Sequence, residues 1–137
     1  MPEKVDQIFQ KMYDQDWFSQ WLGIELIEMG EGRCTLKMTV RKEMLNGFGI
    51  AHGGITYSLA DSAFAFASNS RGRKSVSIET SINHVKALKE GDTILAMAKE
   101  ETVTNKTGVY SIIVTRESGE KVAIFKGLVY RTSEEWL

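Results

Sequence analysis

Between Ile55 and Asn69 the chain reads ITYSLADSAFAFASN: fifteen residues, one charge, no glycine and no proline. At 100° per residue, Ile55, Leu59, Ala60, Ala63, Phe64, Phe66 and Ala67 fall on one half of a helix, and Tyr57, Ser58, Asp61, Ser62, Ala65, Ser68 and Asn69 on the other. A solvated helix face normally carries Lys, Glu or Arg. Here the polar half is made of small residues and one acid. Such a helix is expected to be buried nearly all round, with an antiparallel sheet wrapped about it. Its small-residue half is expected to press on something close, such as a second chain.

The rest of the sequence supplies that sheet. Cys34, Leu36, Met38 and Val40 alternate with Arg33, Thr35, Lys37 and Thr39, the period of a half-buried strand, and Ile24–Met29 precedes them as another. After the helix, Val76, Ile78, Thr80 and Ile82 are expected to share one face of a strand. Asp92–Val103, Val109–Arg116 and Lys121–Arg131 follow as an antiparallel meander, separated by the turn signals NKTG and ESGE. Val5, Ile8, Phe9 and Met12 recur at helical spacing, and Trp17, Phe18, Trp21 and Leu22 suggest a further helical turn ending at Gly23. The fold class is therefore α+β, one domain over residues 1–137 with an N-terminal helical segment at 1–22.

Composition narrows the function. The formal net charge is −1, which offers no global field for nucleic acid. The one cysteine, Cys34, excludes a disulfide framework, and His52 and His84 are too few and too isolated to suggest a metal site. No apolar run approaches the roughly 20 residues that span a bilayer, and the acidic, amphipathic start is unlike a signal peptide. These features point to a cytoplasmic protein with no nucleic-acid or membrane partner and no cofactor.

Two features carry chemistry. Gly47, Gly49, Gly53 and Gly54 precede the helix, without the G-K-[ST] of a phosphate loop or the G-x-G-x-x-G of a dinucleotide site. The amides of Gly53 and Gly54 begin the helix, so they point outward at its positive end. They can hold a carbonyl oxygen as negative charge develops on it, with Asn46 and His52 as flanking donors. The other reading is a glycine-rich connection that packs tightly under the sheet. Asp61 is the second feature. Aspartate suits helix caps rather than interiors, and burial without a partner disfavours its charge. It is either a reactive carboxylate or a buried acid paired with an arginine or an amide. An oxyanion-type donor set with a carboxylate suggests acyl transfer to water. Ser58 and Ser62 share the side of Asp61, but neither lies in a nucleophile elbow.

The stretch LNGFGIAHGGITYSLADSAFAFASNS resembles the signature of the hotdog-fold acyl-CoA thioesterases, closest to the phenylacetate-degradation subfamily, over about Tyr13 to Arg131. The resemblance implies a curved antiparallel sheet wrapped around one long central helix, paired in homodimers and often in dimer-of-dimers tetramers. It implies hydrolysis of acyl-CoA, aryl or medium-chain, to free acid and CoA. Asp61 matches the family's nucleophile or general base. Gly53 matches the residue whose amide binds the thioester oxygen, and Asn46 the side chain that orients thioester or water. His52 matches the motif histidine, a structural support, and Ser77 falls where relatives place a water-orienting hydroxyl. Gly54 joins the substrate-binding set. Where many relatives carry a basic residue and then proline, this chain has Lys86 and then Ala87, keeping the charge and losing the rigid turn. Arg71, Arg73, Lys74, Lys89 and Lys106 are further candidates for the CoA phosphates, each otherwise a solvated surface charge. Phe48, Tyr57, Phe64 and Phe66 are candidates for an apolar pocket or for core.

A hotdog hydratase or dehydratase is the first alternative. It needs a histidine–acid pair, and His52 with Asp61 is the pair that this sequence offers. A non-enzymatic acyl-CoA-binding protein is the second, and it leaves Asp61 without a use. Gly53 and Asp61 lie eight residues apart, about 12 Å along a helix axis. Reacting atoms must come within about 3–3.5 Å. The expected site is therefore shared across a homodimer, Gly53 from one chain meeting Asp61 from the other.

Overall fold

The computed structural model describes residues 2–137; Met1, counted above in the N-terminal segment, lies outside the described residues. Two short helices open the chain, α1 (Glu3–Tyr13) and α2 (Trp17–Leu22). Strands β1 (Glu25–Gly30) and β2 (Arg33–Thr39) follow, then a 3₁₀ turn at Lys42–Met44 and the long helix α3 (Gly53–Asn69). Strands β3 (Arg73–His84), β4 (Thr93–Val103), β5 (Thr107–Arg116) and β6 (Lys121–Glu135) complete it. Among the described residues the strands form one antiparallel sheet in the order β1-β2-β4-β5-β6-β3. The β4-β5-β6 meander stands as expected.

Helix α3 touches every strand of that sheet. Ile55, Leu59, Ala60, Ala63, Phe64, Phe66 and Ala67 are buried on it, facing Leu36, Met38, Ile94, Ala96, Ile112, Val114, Phe125 and Val129 from the strands. The α+β class and the sheet wrapped about a central helix are what the structure contains. One contact sets how close the helix lies. A Cβ added at Gly127 of β6 would come within 2.5 Å of the Phe64 ring, so the aromatic face rests directly on strand backbone. Phe64 then meets Tyr110 and Phe125 at centroid distances of 5.8 and 5.7 Å.

The N-terminal segment closes the remaining side. Val5, Ile8 and Phe9 of α1 are buried as their spacing predicts, with the Phe9 ring 4.8 Å from Phe66. Gly23 ends α2 in the left-handed region at φ +74°, where glycine carries no steric penalty. Leu22 is buried, whereas Trp17, Phe18 and Trp21 stay exposed.

Strand β3 departs from the expected alternation. A register shift between Ser77 and Glu79 breaks the period, and Val76 and Ile78 are more than half exposed. An extra residue on one strand moves the following side chains to the other face, so Val76, Ile78, Thr80 and Ile82 do not form one buried face. β3 is also an edge, paired to β6 on one side only.

The Gly127–Phe64 contact yields a stability test. Gly127→Ala should destabilise the chain by about 1–3 kcal/mol, since the Phe64 ring has to move off the strand. Chemical denaturation of the two proteins measures this; an unchanged midpoint would show that the helix shifts freely over the sheet.

Candidate active site

The glycine loop is a tight, internally bonded turn. The Asn46 amide donates to the Ile50 carbonyl at 2.8 Å, and Ala51 bridges back to Leu45. Asn46 Oδ1 accepts from the amides of Phe48 at 2.9 Å and Ile50 at 3.4 Å. The acceptor end of this side chain is thus committed to the loop, and its donors are at Nδ2. Gly49 sits at φ +79°, a conformation that a side chain would strain.

His52 caps α3. Its Nδ1 accepts from the Gly54 amide at 2.9 Å, while its own amide donates to the Met44 carbonyl at 2.8 Å. An added Cβ at Gly54 would come within 3.0 Å of that Nδ1, so glycine makes room for the cap. The support role for His52 therefore has a defined geometry, and it divides the two glycine amides. Gly54 is used by the cap. Gly53, as the first helical residue, has no intrahelical acceptor for its N–H.

Two cavities meet at this helix start. A cavity of about 280 Å³ is lined by Asn46, Gly53 and Thr56 with His84 and Lys86, backed by Ile50 and Leu88. A second, of about 360 Å³, is lined by Gly54, Ser58 and His52 with the apolar Phe18, Trp21, Met44, Leu45 and Ile55. Phe18 and Trp21 stack with centroids 6.1 Å apart, and the Arg41 guanidinium lies 4.9 Å from the centre of the Trp21 ring. Gly53 and Gly54 thus stand between a cavity rich in polar groups and an apolar one.

Asp61 lines neither cavity. It is half-buried on a stripe of α3 that also carries Tyr57, Ser58 and Ala65. Burial raises its carboxyl above the ordinary range, and the negative charge of Asp16 adds to the shift. Asp16 caps α2, accepting from the Ser19 amide at 3.0 Å and from its hydroxyl at 2.6 Å, and Ser19 Oγ lies 2.8 Å from Ser62 Oγ. Ser62 is therefore covered by α2, although the helical wheel sets it beside Asp61 on the open half. Ser68 and Asn69 are likewise buried, Asn69 Oδ1 accepting from the amide of Ser75 and the indole of Trp136. The open stripe is narrower than the wheel implies.

Ser77 is exposed on β3, between two ties that join β3 to α3: Tyr57 Oη to Thr80 Oγ1 at 2.7 Å and Asn69 Oδ1 to the Ser75 amide. Asp61 lies between the same ties on the helix. The basic candidates separate by position. Lys86 lines the first cavity. Lys89 follows its lining residue Leu88, with its amide bonded to Asp92. Arg73 commits its guanidinium to the carbonyls of Arg131 and Thr132 and to Asn105, and Lys106 sits in the β4–β5 turn, so neither reaches the cavity within one chain. Arg71 pairs with Glu31 and Glu100, and Lys74 with Glu134. Phe64 and Phe66 are core, Tyr57 is half-buried, and Phe48 is 89 % exposed at the loop tip. Sequence spacing alone missed Thr56, His84, Phe18 and Trp21 as lining residues and Asp16 as the charge near Asp61.

The family model described as "Thioesterase superfamily" matches residues 48–123. A putative esterase of Archaeoglobus fulgidus is 41% identical over 98% of this chain and 87% of its own length. The acyl-coenzyme A thioesterase PaaI of Escherichia coli is 39% identical over 96% of this chain and 94% of its own length. The solved structure of the Escherichia coli PaaI protein superposes with a TM-score of 0.93 over 96% of both chains, at 38% identity.

The Asp61 environment sets a pH dependence. A carboxyl raised in the folded state leaves stability unaffected while it is protonated in both states. Stability falls as pH rises from the ordinary carboxylate range through the raised value, because the folded protein resists losing that proton. Asp61→Asn removes this term, so the variant should melt higher than the parent at neutral pH, with the gain shrinking on acidification. Melting curves across that range check the sign; a variant less stable at neutral pH would mean that the carboxylate has a favourable partner.

Proposed function

The chain belongs to the thioesterase superfamily, and we propose that it hydrolyses the thioester of acyl-CoA at a site made jointly by two copies of the chain. The observation that carries this reading is the cavity that Gly53 and Asn46 line together with Lys86, lying beside the apolar Phe18–Trp21 cavity. A thioester carbonyl at the Gly53 amide projects its thiol arm along the first cavity towards Lys86 and its acyl group into the second. That arrangement favours aryl and other apolar acyl groups. The similarity to the acyl-coenzyme A thioesterase of Escherichia coli supports the same substrate class.

In this mechanism the Gly53 N–H and Asn46 Nδ2 hold the thioester oxygen as it becomes an oxyanion. Asp61 of the second copy supplies the carboxylate, as general base to water or as nucleophile, with Ser77 orienting the water. Two features of the single chain support the shared site. The first is the separation of about 12 Å between Gly53 and Asp61 along one helix. The second is the unpaired β3 edge, whose exposed Val76 and Ile78 lie beside the open stripe of α3. His52 acts by capping α3, and Gly54 by admitting that cap. Cys34 is a buried free thiol whose proton is held tightly by burial, so it takes no part in the chemistry.

Release of free thiol from arylacetyl-CoA tests the activity; conversion of an enoyl-CoA without thiol release would instead make the chain a hydratase. Asp61→Asn should lower kcat by roughly 10² or more. Asn46→Asp keeps the acceptor that holds the loop and removes the Nδ2 donors, so it should also reduce turnover severely. Refolding the two variants together makes about half of the dimers mixed, each with one intact site of two, and about a quarter of the parental activity should return. No recovery would show that each site is built from a single chain. Trp21→Ala should raise KM for an aryl substrate about tenfold, the worth of one aromatic contact, while leaving acetyl-CoA unchanged; equal effects on both would remove the second cavity from acyl recognition.

A further inference from the structure

His84 ends β3 with its imidazole against the first residue of α3. An added Cβ at Gly53 would lie 3.3 Å from His84 Nε2 and 3.5 Å from Cε1, so the ring stands beside the Gly53 backbone. Gly53 does not adopt the left-handed conformation for which glycine is usually needed. What its missing side chain provides is room in this cavity, shared between His84 and whatever the Gly53 amide holds. His84 is exposed and lines that cavity with Asn46, Gly53, Thr56 and Lys86.

Resting on the thioesterase reading, we propose that His84 is a further catalytic residue, the general acid that protonates the departing thiol sulfur. The thiol arm runs along the cavity that His84 lines, and the acyl group lies on the other side of the Gly53–Gly54 step. Water loses one proton to the Asp61 carboxylate as its oxygen bonds to the carbonyl carbon. The carbonyl electron pair moves to the oxyanion at the Gly53 amide. On collapse the pair returns, the C–S bond breaks, and its electrons go to sulfur. Sulfur takes the Nε2 proton of the His84 imidazolium, leaving a neutral thiol. The new acid releases its proton to solvent, and exchange with solvent moves the proton from Asp61 and restores that of His84. A protonated imidazole donates from Nε2, a neutral one only from the nitrogen that carries its proton. The groups facing His84 are few. Lys86 is the other titratable side chain lining the cavity, α3 contributes Gly53 and Thr56, and the register partner on β6 is Ala123. Lys86 supplies a positive charge that favours departure of an anionic sulfur.

The test compares two leaving groups at saturating substrate. His84→Gln keeps an amide donor near Nε2 but has no transferable proton, and His84→Phe fills the space with neither. Both should fold, because the side chain is exposed, and a melting curve verifies this. With arylacetyl-CoA, kcat should fall about tenfold or more in each. With the thiophenyl ester of the same acid, whose thiol leaves readily as an anion, kcat should change less than about twofold. Equal losses on both leaving groups, or full activity in both variants, would each overturn the assignment. Absence of thiol release by the parent protein would instead overturn the hydrolase reading, and this proposal with it.

Discussion

The structure depends on covering a helix that has no charged face. From Ile55 to Asn69 no side chain of α3 is fully exposed, and all six strands contribute to the covering. Burial of apolar side chains drives the association, and its magnitude is about 1.5–3 kcal/mol for each large one fully removed from water. The direct seating of Phe64 on Gly127 then fixes the helix against β6, the strand next to the β3 edge. Because the sheet and the N-terminal helices cover most of the circumference, the chain leaves open one narrow stripe, and the carboxylate lies on it.

That enclosure separates the chemistry into two ends. The helix start presents the Gly53 amide to a cavity; the carboxylate lies more than two turns further on, where burial and Asp16 disfavour its charge. A carboxylate whose charge is disfavoured in this way holds a proton more tightly than an ordinary aspartate. The same lack of charge that drives the sheet around α3 leaves one stripe of the helix uncovered, with Asp61 on it.

Much of this was legible in sequence because local period and composition decide it. The α3 wheel, the Cys34–Val40 alternation and the terminal meander each follow from side-chain spacing that the fold does not override. The failures have identifiable causes. The wheel places Ser62 and Asn69 on the half expected to meet another chain, but their partners, Ser19 and Ser75, belong to this chain and come from elements distant or turned back in sequence. The expected face of β3 fails at the register shift after Ser77, which no periodicity reveals. His84 looked isolated because its neighbour, Gly53, is brought to it only by the packing of β3 beside the helix start. Among the basic residues, charge alone could not separate Lys86, which lines a cavity, from Arg73, which holds the ends of two strands together. The sequence motif singled out Gly53 and Asp61 as candidates, and three-dimensional packing supplied their surroundings.

His52, Gly53 and Gly54 act as one mechanical unit. The first imidazole would crowd a side chain at Gly54, and the second, from His84, would crowd one at Gly53. A cap of different length at position 52 would leave a void beside Gly54; a larger residue at 53 or 54 would displace an imidazole and turn an amide away. A substitution at position 53 or 54 therefore has to be accommodated by movement of an imidazole. The short run H-G-G is set by the volume of two rings against one turn of backbone, and that geometric lock couples the entry of the helix to the shape of the site.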